Sequence, residues 1–304
     1  MAPRVLVVGD LVTDILAVHS GDIAVGSDTS ARISIAGGGS AANTAAWLVH
    51  AGVRADLVAV AGTDTAGDHR VAELAAAGVG CAWVRRTGEA PTGAIIVLVR
   101  EAERSFLRDR GANLLLGPSD VDAALTGAGD DARHLHLSGY PLLDEATRSA
   151  GRHALAAAAG RGLTTSVDAA SAAPLRQVGG RAFLEWVRGC DILLANLDEA
   201  RALLQDGTAT PADLALGLAR ATGRFAVVKL GADGAIWAGP GSVLIQCAAE
   251  AAAVVVDPTG AGDAFAAGLL AAWLTGMEPA AALRAGARLG AAAVATVGAR
   301  PPRS

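Results

Sequence analysis

From about residue 120 onward, short β-branched and aliphatic runs alternate with alanine-rich helical stretches, and this alternation is the feature that most limits the fold. Strands are expected at His134–Ser138, Leu163–Asp168, Asp191–Ala195, Phe225–Leu230, Ala235–Ala238 and Val243–Gln246. Helices are expected over 144–158, 180–188, 197–204, 211–221, 261–275 and 279–296. Parallel strands need long crossovers, and helices are the usual crossover, so the pattern predicts an α/β fold with a mostly parallel central sheet flanked by helices. Ligands of such sheets bind beyond the carboxyl ends of the strands.

The first third reads differently. Arg4 to Gly9 is a buried-strand run, and residues 11–18 and 30–35 alternate weakly on either side of a polar stretch. Gly37-Gly38-Gly39 opens a helix over 41–51, followed by a strand at 55–60 and a helix at 66–77. Cys81–Arg86, Thr92–Arg100 and Arg104–Arg108 are expected to be strands of an antiparallel meander joined by polar turns. Together these strands predict a small β-sheet lid inserted from about 11–18, 30–35 and 81–108 into a single α/β domain covering 1–304.

Composition removes several classes of function. The net charge of −5 opposes nucleic acid as a partner, because phosphate binding needs a basic surface. The richest apolar stretch, Ala264 to Met277, is 14 residues long, whereas a membrane span needs about 20. The N-terminal run is too short for a secretory leader, so the expected location is the cytoplasm. Cys81, Cys190 and Cys247 are odd in number and form no CxxC pair, which predicts free thiols.

Chemistry concentrates in Asp257-Pro-Thr-Gly-Ala-Gly-Asp263 and the apolar helix that follows. A Gly-Ala-Gly turn at a helix start leaves N–H groups outward and lets an anion approach the backbone. Such a turn suits the charge of a transferring phosphoryl group, and Asp263 in the first helical turn is placed to take a hydroxyl proton. On this turn alone, a glycine turn capped by Asp263 explains the same residues. A second segment, Gly37-Gly38-Gly39-Ser40-Ala-Ala-Asn43, joins close backbone approach to an amide that both donates and accepts, as polyol hydroxyls require.

Together these segments resemble the signatures of the ribokinase/PfkB carbohydrate kinase family. The likeness runs in family order along almost the whole chain: Gly9-Asp-Leu-Val-Thr-Asp14, Pro91-Thr-Gly with Arg110-Gly-Ala-Asn113, Asn196-Leu-Asp-Glu199, Lys229-Leu-Gly-Ala-Asp-Gly234 and Gly298-Ala299. The resemblance implies a ribokinase-like fold and an ATP-dependent kinase acting on a small sugar-like substrate. It implies Asp263 as general base and the backbone of Gly260, Ala261 and Gly262 as anion hole. Asp14, Gly38, Gly39, Asn43 and Asn113 would bind the acceptor. Asn196, Lys229, Gly231 and Gly234 would line ATP, with Glu199 serving Mg²⁺ and Asp257 and Thr259 a K⁺ site. A homodimer formed through the lid is also expected, since an exposed sheet edge invites pairing.

Departures from ribokinase itself point away from ribose: Ser40 stands where ribokinase has lysine, Leu137-Ser138-Gly139 lacks an acidic residue, and Asp168-Ala-Ala-Ser-Ala-Ala-Pro174 replaces an Asn-Pro element. The expected acceptor is a hydroxyl of a sugar or sugar acid. A nucleoside is the alternative, disfavoured by a lid whose aromatics are only Trp83 and Phe106, and an inactive sugar sensor is the non-enzymatic one. Walker-A and dinucleotide-binding readings fail for want of their glycines. His134 and His136 share a strand face but lack a third metal ligand. Arg104 and Arg110 in the lid could meet an acidic substrate group, although exposed arginines ordinarily meet water.

Overall fold

The computed structural model describes residues 3–100, 103–250, 252 and 254–302. Its strands are β1 (Arg4–Val8), β2 (Val12–His19), β3 (Ala31–Gly38), β4 (Arg54–Gly62), β5 (Val84–Thr87), β6 (Gly93–Arg100) and β7 (Glu103–Asp109). They continue with β8 (Ala132–Ser138), β9 (Thr164–Asp168), β10 (Ile192–Asn196), β11 (Phe225–Lys229), β12 (Ala235–Gly239) and β13 (Val243–Cys247). Nine form one sheet in the order β13-β12-β11-β10-β9-β8-β1-β4-β5, and four form a second in the order β3-β2-β6-β7.

From β11 to β5 every neighbouring pair is parallel, and only β12 and β13 run antiparallel at one edge. Alternation along β1 shows why. Leu6 and Val8 face a core shared with the helices Pro118–Ala128, Arg148–Gly160 and Pro211–Thr222. Val5 and Val7 face a second core with the helices Ser40–His50 and Ala261–Leu274. All four side chains are fully buried, as expected of a sheet covered on both sides.

The chain order in this sheet reverses between β1 and β8, with β4 and β5 on one side and β9 to β11 on the other. Carboxyl ends of β1, β8, β9, β10 and β11 therefore open on one rim. They deliver Asp10, Tyr140, Asp168, Asn196 and Lys229 to the same cavity.

The strand expected at 81–86 does not belong to the small sheet. Residues 84–87 pair in parallel with β4 at the edge of the large sheet. Val84 and Thr87 are buried at that edge, Val84 in the core of the helix Ser40–His50. Trp83 packs against the other core, beside Gly127, rather than in the lid. The small sheet is also not a simple meander, because β2 pairs in parallel with β6 while the outer pairs are antiparallel. Register divides its side chains into two faces. Asp14, Ile95, Val97, Phe106 and Arg108 point to the cavity, and the row Ile35–Ile15–Ile96–Leu107 lies on the other side.

Helices Pro118–Ala128 and Ala172–Val178 were not evident in the sequence. Among the described residues, no helix is long and apolar enough to cross a membrane. The three cysteines are free thiols.

Candidate active site

Two helix N-termini converge on one point. The helix Ser40–His50 starts at Gly39, whose φ of 98° belongs to glycine; a Cβ at Gly39 would also overlap the Asp10 carbonyl. The helix Ala261–Leu274 starts at Gly260 with φ 76°, where a Cβ would lie 2.5 Å from Ala299 O. Asp263, one turn into the second helix, meets the first across 220 residues of sequence: Oδ2 accepts from Asn43 Nδ2 at 3.0 Å. Its Oδ1 accepts from Ser40 Oγ at 2.8 Å.

Burial raises the Asp263 carboxyl to about 7, with Asn43 and Ser40 opposing the shift and Asp168 adding to it. A carboxylate poised near neutrality in a cavity is suited to proton abstraction. Beside it, the N–H groups of Gly260 and Gly262 have no acceptor among the described residues, while Ala261 N donates to Pro258 O at 3.3 Å. The expected anion hole therefore presents two open donors and a third in a long bond.

Lys229 closes the same corner. Its Nζ sits 2.6 Å from Asp168 Oδ2 and 3.3 Å from where a Cβ on Gly262 would lie, so the ammonium stands next to the Gly-Ala-Gly turn. Burial works against its charge, yet Asp168 and Glu199 prevail and its pKa is raised.

Asn196 and Glu199 form a capping box at the start of the helix Leu197–Leu204. Glu199 Oε2 accepts from Asn196 N at 2.8 Å and Oε1 from Asn196 Nδ2 at 2.7 Å, and Asn196 Oδ1 accepts from Glu199 N at 2.9 Å. Burial pushes the Glu199 carboxyl up to about 7, against the pull of Lys229. Among the described residues no group of three or more His, Cys, Asp or Glu is arranged to hold a metal.

Asp14 faces the cavity from β2, and burial raises it to about 6 against the opposing charge of Arg300. Its carboxylate occupies the space that a Cβ on Gly38 would fill. Gly231 and Gly234 line the far end of the cavity, and a Cβ on Gly234 would overlap Cys247 O. Asp257, buried, joins two loops: Oδ1 accepts from Thr259 N at 3.0 Å and Thr259 Oγ1 at 2.7 Å, and Oδ2 from Gly298 N at 3.1 Å.

Asn113 stands apart from the cavity. Its Oδ1 accepts from Leu11 N at 2.9 Å, and Nδ2 donates to Leu11 O at 3.1 Å and Arg110 O at 2.9 Å. These three bonds engage the whole carboxamide and pin the β1–β2 turn; Asn113 is absent from the residues lining the cavity. His134 and His136 are core residues, linked through Ser166 Oγ at 2.7 and 2.8 Å.

Arg110 is not exposed, as sequence had implied: it pairs with Asp144 at 2.9 Å and Asp10 at 3.3 Å, 4.8 Å from the Tyr140 ring. The side chain of Arg104 lies outside the described residues. Arg108 lines the cavity instead. Period-two alternation along β7 could have singled it out, since it shares a face with Phe106. Asp168 and Arg300 were the other unforeseen site residues. Asp168 ends a predicted strand, where a ligand-facing carboxylate is expected; Arg300 carries no sequence signal of its place.

The cavity holding these groups has a volume of about 1300 Å³. A family model described as pfkB family carbohydrate kinase matches residues 2–304. An ATP-dependent ribose-1-phosphate kinase of Halopiger xanaduensis is 34% identical over 266 residues, 87% of this chain and 82% of that one. A 2-dehydro-3-deoxygluconokinase of Thermoproteus tenax is 31% identical over 252 residues, 81% of this chain and 75% of its own. Among solved structures, adenosine kinase from Sinorhizobium meliloti superposes with a TM-score of 0.86 at 26% identity, covering 99% of this chain and 96% of that one. The chain belongs to the pfkB family and is an ATP-dependent sugar or nucleoside kinase.

Proposed function

We propose that this kinase phosphorylates a hydroxyl of an anionic sugar, a sugar acid or a sugar phosphate, with Asp263 as general base. The observation that carries the reading is the convergence of Asp263, the open N–H groups of Gly260 and Gly262, and the Lys229 ammonium in one cavity. An acceptor hydroxyl held by Asp14, Asn43 and the Gly38–Gly39 backbone gives its proton to Asp263 as its oxygen attacks the γ-phosphorus of ATP. The bond to the β-phosphate oxygen breaks and ADP leaves. The two N–H groups and Lys229 meet the charge that spreads over the transferring phosphoryl oxygens.

Asn196, Gly231 and Gly234 line the nucleotide end. Glu199 fits Mg²⁺ through water, because each of its oxygens already accepts one bond from Asn196 and magnesium keeps much of its hydration. The ion would neutralise phosphate charge. Asp257 and Thr259, with hard oxygen donors between two loops, suit a K⁺ that would brace the anion hole. The small sheet acts as a lid on one domain spanning 1–304, and its outer face pairs with a second copy.

The anionic character of the acceptor rests on Arg108. It is exposed on the cavity face of β7, 5.8 Å from the Tyr140 ring, and has no carboxylate partner among the described residues. The acceptors named for the two relatives, ribose 1-phosphate and 2-dehydro-3-deoxygluconate, both carry an anionic group. Phe106 and Tyr140, facing the same space, favour a nucleoside as the second reading. An ADP-release screen with Mg·ATP and K⁺ separates them. Sugar acids, sugar phosphates, neutral sugars and nucleosides form the panel, with Asp263→Asn and Arg108→Gln beside the native protein. The reading expects an anionic sugar to be turned over, with acceptor KM raised in Arg108→Gln and turnover lost in Asp263→Asn. Turnover of a nucleoside unaffected by Arg108→Gln overturns it, and silence across the panel points to a sensor.

A further inference from the structure

Arg300 has none of the roles given above and does not line the cavity, yet its guanidinium bonds two groups of the acceptor segment, Gly38 and Asn43. The side chain is 15% exposed, with Nη1 3.5 Å from Glu73 Oε2. Nη2 donates to Gly38 O at 3.0 Å and Nε to Asn43 Oδ1 at 3.4 Å. Burial lowers its pKa to about 10, which leaves it charged at neutral pH. The space is shaped for it: a Cβ on Gly37 would overlap the guanidinium.

Asn43 stands between two charges of opposite sign. Its Nδ2 donates to Asp263 while its Oδ1 accepts from Arg300. Turning the carboxamide over would set its oxygen against the carboxylate and its N–H groups against the guanidinium, so both neighbours select one orientation.

We propose that Arg300 is a positioning residue for the general base: it fixes the Asn43 carboxamide so that Nδ2 stays on the Asp263 carboxylate. Arg300 itself does not touch Asp263. Without it the amide can turn, and Ser40 is left as the one side-chain donor on Asp263. Through Gly38 O the same guanidinium also steadies the end of β3, against which Asp14 rests. The inference depends on Asp263 being the base.

The chain has three asparagines, Asn43, Asn113 and Asn196, so labelling with ¹⁵N-asparagine gives three side-chain amide pairs in native protein and the Arg300 variants and a fourth in Asp263→Asn, each assigned by single substitution. The Asn43 signal is followed as pH is raised through neutrality in native protein, Asp263→Asn, Arg300→Met and Arg300→Lys. Ser40, Asn43, Asp168 and Lys229 face Asp263 and are unchanged in the Arg300 variants. The expected result is a pH-dependent Asn43 signal in native protein that is flat in Asp263→Asn, loses most of its amplitude in Arg300→Met and is partly restored in Arg300→Lys. Asn113, whose amide bonds only backbone groups, reports whether the fold is intact. Asn196, which donates to Glu199, should follow that carboxyl through the same pH range in every variant. If Arg300→Met disturbs Asn113, Arg300→Lys decides by the same criterion. Full amplitude in a folded Arg300 variant overturns the proposal and leaves the base untouched. A native signal indifferent to pH overturns both.

Discussion

Lys229 Nζ lies 2.6 Å from Asp168 Oδ2, joining the carboxyl ends of β11 and β9 across the strand between them. With side-chain exposures of 13% and 9% the pair is nearly dry, so removing one partner strands a charge. Lys229→Met should cost up to about 3–5 kcal/mol of stability, less where cavity water screens Asp168. Adding Asp168→Asn should recover most of that loss without recovering ATP affinity. Urea unfolding and calorimetric ATP binding measure the two effects separately.

Raised carboxyl groups make a signed prediction about pH. Asp263 and Glu199 sit near 7 and Asp14 near 6, against ordinary values of 3.8 to 4.5. Between the ordinary and raised values the folded protein holds more protons than the unfolded chain, so these groups reduce stability as pH rises through that window. Asp263→Asn should melt higher than native protein above pH 7 and converge with it below the ordinary Asp value of 3.8. A melting-temperature difference independent of pH would contradict the assignment. Native kcat/KM should rise with pH toward about 7 as Asp263 ionises.

Buried His134 and His136 give the opposite sign. Burial lowers them to about 3 and 4, so they stay neutral when folded while the unfolded chain takes up protons below about 6.5. Stability contributed by the pair is present at neutral pH and should be lost as pH falls from 6.5 through these values. His134→Asn with His136→Asn should flatten that acid limb in pH-resolved thermal melts.

Gly38→Ala tests the slot occupied by Asp14. The added Cβ must displace the carboxylate, so acceptor KM should rise about tenfold, the loss of roughly one hydrogen bond to a charged group. ATP KM should stay near native, and steady-state kinetics on the acceptor found by the screen read both.

Assembly is tested on the outer face of the small sheet. Ile33 and Ile35 are 64% and 66% exposed; Ile35 continues a row with Ile96 and Leu107, and Ile33 lies beside it on the same face. If that face pairs two copies, native protein should scatter light as a dimer at micromolar concentration and Ile35→Glu as a monomer.

Long-period features were legible in sequence. The parallel order followed from strand–helix alternation, and the family motifs brought Asp14, Asn43, Asp263 and the Gly260–Gly262 turn to one cavity. What escaped was set by tertiary partners. Val84–Thr87 looks like its lid neighbours locally, and only pairing with β4 assigns it to the large sheet. Asn113 has the amide of a polyol ligand, but Leu11 and Arg110 engage it fully. Arg300 meets Asn43 across 257 residues, a separation over which no local pattern speaks.

Gly37, Gly38 and Gly39 are each emptied for a different occupant: the Arg300 guanidinium, the Asp14 carboxylate and the Asp10 carbonyl. At Gly37 and Gly38, whose occupants are side chains, descent is constrained in pairs, whereas at Gly39, whose occupant is a backbone carbonyl, no second substitution makes room. A lineage that gives up Arg300 releases Gly37 to gain a side chain, whereas Gly37 cannot grow while Arg300 keeps its place. Changes of acceptor preference should therefore arrive as coupled substitutions, one in the tract and one in its distant occupant, and the order in which they are tolerated is arginine first.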